Sequence, residues 1–378
     1  QAMLSRGRAP PGATDVMQST LGDPSGPALQ ENVLRQRVGE DAKRLIDLDG
    51  ADDLASHYSA LSEDANQTPK MREAALLFSA AEEHLQDEDA EEALQRATEA
   101  LRAFEGAGDA KGQQDTLRLL CSAYRMKDMA DKAMEEAQSE LAKFRSSNDK
   151  RGQACMLFSV AEVHLAKYRA TDALQTLAEA TELFKSVDDK KMQAMALLVV
   201  SKAHIRKYSA DEALAAAKQA LSLCSGLGDK SGEARARLAV ALGHVENGAM
   251  NDGMQAAETA LTLTREAGNK KAEVAALQLL ADIQIIKEEP RKAELTASQA
   301  LELCRTIGHK RAEGSSLLTL TFALLEKGES VRALQQATEA LSTFKKCGDK
   351  RGEAAALCSL TYVHAEKHDT DQALQCAD

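Results

Sequence analysis

Tryptophan is absent from the 378-residue chain and aromatic residues make up only 3% of it. A core built on large rings is thereby excluded, and the 44% apolar content implies Ala, Leu and Val packed between closely spaced helices. Proline is scarce too, with six residues, and Pro10, Pro11, Pro24 and Pro27 crowd into one end. The remainder is left free for long helices, because proline breaks helix interiors. No run of 18 or more apolar residues occurs, so a membrane-spanning helix is not expected and neither is membrane insertion. Basic excess is also lacking. At a formal net charge of −12, nucleic acid is not the expected ligand, since phosphate binding needs a net basic face. The seven cysteines are odd in number and never form Cys-x-x-Cys, which points to reduced thiols in a cytoplasmic compartment rather than a disulfide framework. Nucleophile signatures, His-Glu-x-x-His and dinucleotide fingerprints are all missing. Catalysis, a cofactor and a metal are therefore not expected.

What the chain has in abundance is repetition. Gly348-Asp349-Lys350-Arg351-Gly352-Glu353-Ala354 has near-copies at Asn148-Asp149-Lys150-Arg151-Gly152 and Gly228-Asp229-Lys230-Ser231-Gly232-Glu233-Ala234. Gly108-Asp109, Gly268-Asn269-Lys270 and Gly308-His309-Lys310 fall in the same columns, forty residues apart. A fixed period of this size is the mark of a stacked array, in which each unit covers its apolar face with its neighbours. The glycine suits the left-handed conformation that ends one helix, and the Asp or Asn after it suits the first free amides of the next. The motif thus predicts a helix–helix corner. A phosphate loop is the poorer reading, because no strand precedes it and no Gly-Lys-Ser/Thr appears.

The organisation follows from that period. Residues 1–30 show no apolar rhythm and read as a flexible arm, with Arg6 and Arg8 weakly suggestive of a targeting remnant. Residues 31–69 read as a degenerate capping helix pair, since Leu54, Ala60 and Leu61 stand one period before Leu94, Ala100 and Leu101. Residues 70–378 read as seven full repeats and one partial repeat of two helices each. In the second repeat these are expected from about Lys111 to Met126 and from about Asp131 to Arg145. Gln1 and a last residue, Asp378, that falls within a helical pattern suggest a piece of a longer protein.

The columns resemble the tetratricopeptide repeat. A bulky residue recurs at Leu77, Leu117, Leu157, Leu197, Leu277, Leu317 and Leu357, with Arg237 as the exception. A small residue follows at Ala81, Cys121, Ala161, Ser201, Ala241, Ala281, Thr321 and Thr361, and paired alanines sit at Ala93/Ala100, Ala173/Ala180, Ala213/Ala220, Ala293/Ala300 and Ala333/Ala340. The units are longer than the usual 34 residues and are similar to the long variety of spindle-orientation adaptors. The family's aromatic between the alanines is replaced by Ala97, Ala137, Ala217, Ala257, Ala297 and Ala337, while Phe104, Phe144, Phe184 and Phe344, seven residues on, are expected to restore its volume. The resemblance implies an all-α, right-handed α-solenoid of helix-turn-helix repeats whose first helices line a concave groove.

Three sets of residues then compete as a functional site. The groove columns implied by the resemblance include Phe78, Arg118, Phe158, Leu198, Leu238, Gln278, Leu318 and Cys358, and, four residues on, Lys202, Phe322 and Tyr362. An exposed apolar row with scattered charges fits a helix or extended peptide, although the same residues would serve equally well to close the seams between repeats. The second set is a basic edge, Lys150, Arg151, Lys190, Lys191, Lys270, Lys271, Lys310, Arg311, Lys350 and Arg351. It suits an acidic or phosphorylated segment, but its interleaving with Asp and Glu favours a solvated face. The third is a histidine column, His84, His164, His204, His244 and His364. Equivalent residues of stacked repeats lie about 10 Å apart, too far to share one zinc ion, so these read as structural. The asparagines and lysine with which some such domains clamp a terminal carboxylate are missing. The expected function is a protein–protein interaction scaffold or adaptor within a multi-subunit assembly, which binds a partner segment along the groove. Alternatives are an accessory repeat domain of a larger enzyme and a purely architectural subunit.

Overall fold

The computed structural model describes residues 54–87 and 89–377. The expected arm and the first helix of the expected capping pair lie outside them. Seventeen α-helices and no strand occur among the described residues. A short helix α1 (Ala55–Glu63) is followed by eight pairs: α2 (Pro69–Gln86) with α3 (Ala90–Ala107), α4 (Ala110–Met126) with α5 (Ala130–Ser146), α6 (Lys150–Ala166) with α7 (Ala170–Ser186), α8 (Lys190–Arg206) with α9 (Ala210–Leu227), α10 (Lys230–Glu246) with α11 (Met250–Glu266), α12 (Lys270–Ile286) with α13 (Pro290–Ile307), α14 (Lys310–Glu326) with α15 (Ser330–Cys347), and α16 (Lys350–Glu366) with α17 (Thr370–Ala377). Helix α4 begins one residue before its expected start and α5 ends one residue beyond its expected end. The two prolines of this region, Pro69 and Pro290, both open helices, where the missing N–H costs nothing.

Each helix packs on the next, and each even-numbered helix also packs on the following even-numbered one. The result is a helical solenoid of two layers, and burial tells them apart. Helix α12 buries thirteen residues around its circumference, among them Glu273, Gln278 and Asp282, whereas α13 buries Ala293, Ala297, Ala300, Leu301 and Cys304 along one stripe. Even-numbered helices are therefore the inner layer and odd-numbered ones the outer layer, amphipathic and facing solvent. The alanine stripes that join them are fully enclosed at Ala93, Ala97 and Ala100, at Ala213, Ala217 and Ala220, and at Ala333, Ala337 and Ala340. A larger side chain there would force the helices apart at a cost of about 1–3 kcal/mol.

The corner motif does what its residues imply. Gly348 takes φ +71°, and Asp349 accepts a hydrogen bond from the Gly352 amide at 3.0 Å, closing the free end of α16. Equivalent caps come from Asp109, Asp149, Asp189, Asp229 and Asn269. His309 fills the same role with a ring nitrogen, Nδ1, which accepts from the Ala312 amide at 3.2 Å.

The phenylalanines that follow the alanine stripe do fill the seam: Phe104, Phe184 and Phe344 are buried, and Phe144 is half-buried. Three of the four face a feature that the repeat pattern contains but does not announce. A Cβ added at Gly352 would stand 2.1 Å from the Phe344 ring, at Gly152 2.4 Å from Phe144, and at Gly112 2.3 Å from Phe104. The second glycine of the signature is thus a notch for the ring at these three corners, whereas Gly232 faces Cys224 and Phe184 is followed by Met192 in the same column. Where the outer helix ends instead in Thr264 or Cys304, the notch is filled by Ala272 or Ala312.

Candidate functional site

The inner layer does not present the expected row evenly. Phe78, Arg118, Phe158, Gln278, Leu318 and Phe322 are all buried, which corrects the reading of these six as exposed groove residues. Named contacts explain why. Phe78 stacks against Tyr58 at 4.1 Å between ring centroids and meets Phe104 edge-on at 6.5 Å. The Arg118 guanidinium lies 4.8 Å from the Phe158 ring centroid and also reaches the Met192 sulfur. Gln278 donates to the Ala312 carbonyl at 3.0 Å and to Ser316 at 2.8 Å. Leu318 belongs to the apolar cluster that joins α12, α14 and α16, and Phe322 packs on Tyr362 at 6.0 Å. From Arg118 onward these columns tie one inner helix to the next, while Phe78 packs on α1 and α3, so all of them serve the seams. Leu198, Lys202 and Leu238 are half-buried, as is Tyr362, and Cys358 is exposed. Between the two ends of the array, the partly accessible stretch of the inner layer is therefore on α8 and α10, where Val199, Val200, Arg235 and Ala239 are also half-buried.

The basic edge is a line of ion pairs. Lys270 and Lys310 bond Glu273 and Glu313, three residues on, at 3.0 and 2.7 Å, and Lys350 bonds Glu353 at 2.8 Å. Arg265 and Arg305, in the last turns of the preceding helices, join the first two of these glutamates at 2.8 and 3.1 Å. Both carboxyls sit below the usual carboxylate range: burial would raise them, but the hydrogen bonds from the arginine and the lysine outweigh it. Lys190 pairs with Asp188 and Lys191 with Asp229. Lys150 is exposed, and Arg311 is half-buried. Lys271 and Arg351 reach further, to Asp87 at 2.9 Å and to the Tyr168 ring at 5.0 Å from its centroid.

Arg151 departs from this pattern and heads a polar network inside the stack. It donates to Asp115 at 2.7 Å, Asp189 at 2.9 Å and Gln114 at 2.8 Å, while the Tyr58 hydroxyl donates to the other Asp115 oxygen at 2.8 Å. It stitches together four units of the array, those of α1, α4, α6 and α8, and passes over the α2–α3 pair. Burial pushes the Asp115 carboxyl upward, opposed by the Arg151 charge and both hydrogen bonds. A buried group of this kind is costly to break and fixes how neighbouring helices meet. Gln114 and Asp115 follow the first turn of α4 without fitting any column of the repeat, and that misfit was the signal for them.

The histidine column sits at the ends of the inner helices. The carbonyls of His84, His164, His204, His244 and His364 each accept the amide five residues on, at 2.8–3.0 Å. Imidazoles in a last helical turn suit the carbonyl-rich end of the helix dipole. Among the described residues no group of three His, Cys, Asp or Glu is placed to hold a metal ion. All seven cysteines are free, and burial pushes the Cys121 and Cys155 thiols up to about 12.

No protein-family model matches the chain, and no curated protein matches it. Solved structures do. A Rap protein complexed with competence and sporulation factor is 14% identical, with a TM-score of 0.52, over 92% of this chain and 100% of that one. Aspartyl phosphate phosphatase F from Bacillus subtilis is 12% identical, with a TM-score of 0.56, over 90% and 92%. A signal transduction ATPase with numerous domains from Pyrococcus horikoshii, which carries a tetratricopeptide repeat sensor, gives 14% and 0.60 over 86% of this chain. The chain spans about half of that ATPase, 52% of its length. The fold is that of a tetratricopeptide-like array of helical repeats. Among the described residues no helix is long and apolar enough to cross a membrane.

Proposed function

We propose that the array is a protein-binding scaffold that grips a peptide or helix of a partner on the inner layer at α8 and α10, as one subunit of a larger assembly. The observation that carries this is the interruption of burial there: Leu198, Leu238 and Lys202 stay partly accessible while the same columns of α4, α12 and α14 are enclosed. Partly accessible leucines on two neighbouring inner helices suit the apolar face of an amphipathic segment. The Rap structure bound to competence and sporulation factor supports a peptide ligand for this shape of solenoid. The part played by the chain is recognition, without catalysis. Seven free thiols support a reducing, cytoplasmic setting.

Crosslinking mass spectrometry on native extract tests the reading through two lysines. Partner crosslinks to Lys202 on α8 are expected, and they should fall away in a Leu198→Asp/Leu238→Asp variant that keeps its helical circular dichroism. Crosslinks confined to Lys218, exposed on the outer helix α9, would instead make the chain an architectural subunit. A second reading, the sensor portion of a larger enzyme, is favoured by the match to half of the archaeal ATPase.

A further inference from the structure

Two contacts join parts of the array that are far apart in sequence by nearly the same distance. Lys271, at the start of α12, bonds Asp87, at the end of α2, across 184 residues. Arg351, at the start of α16, donates to the Ala166 carbonyl at the end of α6, across 185 residues, and covers the Tyr168 ring at 5.0 Å. Each contact sets the beginning of an inner helix on the corner that ends an earlier inner helix. With a period of forty residues, the shared separation is about 4.6 repeats, so one turn of the superhelix comes to rest on the turn before it. Lys190, Lys270, Lys310 and Lys350 of the basic edge pair within their own repeat and Arg151 and Lys191 with a neighbouring one; Lys271 and Arg351 are spent on contact between turns.

The two contacts differ in chemistry. Asp87 is largely exposed and Lys271 partly so, and exposed ion pairs are weak and screened by salt. Arg351 works through a ring face and a carbonyl at a helix end, beside the basic Lys167 and Arg169. That contact owes little to opposite charge. Helix seams, by contrast, are held by enclosed alanine and phenylalanine and cannot slide. A solenoid with firm seams and weak contacts between turns can change pitch without unfolding.

We infer that Asp87–Lys271 and Tyr168–Arg351 form a clasp between successive superhelical turns, and that its opening regulates access to the inner layer at α8 and α10. Only the regulatory half rests on the proposed scaffold function. The clasp itself is tested on the whole chain without any partner, by small-angle X-ray scattering. Asp87→Lys and Lys271→Asp should each raise the radius of gyration by ~5–10% at unchanged helical circular dichroism, and the double variant Asp87→Lys/Lys271→Asp should return it to the starting value. For the unaltered protein, raising salt from about 20 mM to about 500 mM should reproduce the single reversals in part, with Arg351→Ala adding a further, salt-insensitive increase. A radius unmoved by either reversal and by salt would overturn the clasp. Access is read separately by acylation of Lys202, which should quicken about twofold or more in the opened variants while exposed Lys218 keeps its rate. If the radius rises and Lys202 does not respond, the regulatory half is overturned and the clasp stands.

Discussion

The array turns in two kinds of corner, and their backbones are nearly the same. From outer to inner helix, Gly108, Asn148, Asp188, Gly228, Gly268, Gly308 and Gly348 all have positive φ, and the next amide bonds the carbonyl five residues back at 2.9–3.1 Å. From inner to outer helix, Asp128, Tyr168, Tyr208, Gly248, Glu288, Gly328 and His368 have positive φ as well, with the same bond at 2.8–3.0 Å. The side chains then part company. The first corner ends in a residue that caps the coming helix, whereas Met129, Arg169, Ser209, Ala249, Glu289 and Glu329 make no such bond, and among the described outer helices Asp89, before α3, is the exception. One geometry is therefore written into the sequence at half of its occurrences and passes almost unmarked at the other half. The surroundings of the helix that each corner starts supply the reason. The first turn of an inner helix runs close against a side chain of the preceding outer helix, as at Gly112, Gly152 and Gly352 with their phenylalanine rings, and a cap fixes that turn in place.

The sharpest way to break this comparison is to fill the notch behind the signature. Gly352→Ala places a methyl group against Phe344, itself buried and also within 2.5 Å of a Cβ built at Gly314. The ring has nowhere to go, and a loss of about 3 kcal/mol is expected, the upper end of overpacking costs. Chemical denaturation measures it. Adding Phe344→Cys, the pairing already found at Cys304 and Ala312, should recover more than half. An unaltered midpoint for the single variant would show that the glycine is not there for the ring.

A gentler test concerns the one imidazole cap of the series, His309. Burial, then the charge of Lys271, lowers its pKa to about 4, and it accepts from Ala312 only when neutral. Arg311 lowers it further and Asp87 opposes. Because the folded value lies below the ordinary 6.5, the unfolded chain takes up the proton first as pH falls. The contribution of this group is therefore fully present above about pH 6.5 and is lost progressively down to about pH 4, by roughly 2–3 kcal/mol. His309→Asp, which restores the residue used at most other corners, should flatten that part of the stability–pH curve. A slope that persists in the variant would place the titration elsewhere.

Most of the architecture was legible in the sequence because the repeat makes each column visible several times. The period, the alanine stripe and the glycine-aspartate corner all rest on residues whose local chemistry permits few alternatives. The site was less legible. Column membership alone cannot tell an inner-layer side chain that faces open space from one that faces the next repeat, and Phe78, Phe158 and Leu318 took the second course because a solenoid this tightly wound brings inner helices together. In the Tyr58–Asp115–Arg151 network only Arg151 belongs to a column, and nothing in that column marks its partners. The contacts of Lys271 and Arg351 with a turn 184 or 185 residues earlier depend on pitch, a global quantity that no single repeat encodes.

The caps themselves give the next contrast. Asp349→Ala removes the bond to the Gly352 amide and should cost about 1 kcal/mol. Arg169→Ala, at the same place in the other corner, loses only an exposed bond to Asp172 and should stay within about 0.5 kcal/mol of the starting protein. Equal losses by thermal or chemical unfolding would mean that the two corners are held alike, contrary to their side chains.

The smallest effect expected runs in the opposite direction. Asp128 occupies a left-handed position, φ +57°, that glycine fills in the equivalent corners at Gly248 and Gly328, and its side chain is exposed. A residue with a Cβ is strained in this region and glycine is not. Glycine loses more chain entropy on folding, which offsets part of the relief. Asp128→Gly should therefore stabilise the protein by about 0.5 kcal/mol, while Gly248→Ala should destabilise it by about 1 kcal/mol through the same strain acting in reverse. Both shifts are measurable as denaturation midpoints. Their opposite signs matter more than their size, because a corner held only by its backbone must respond to whichever residue best tolerates that backbone, whereas a capped corner answers first to its cap.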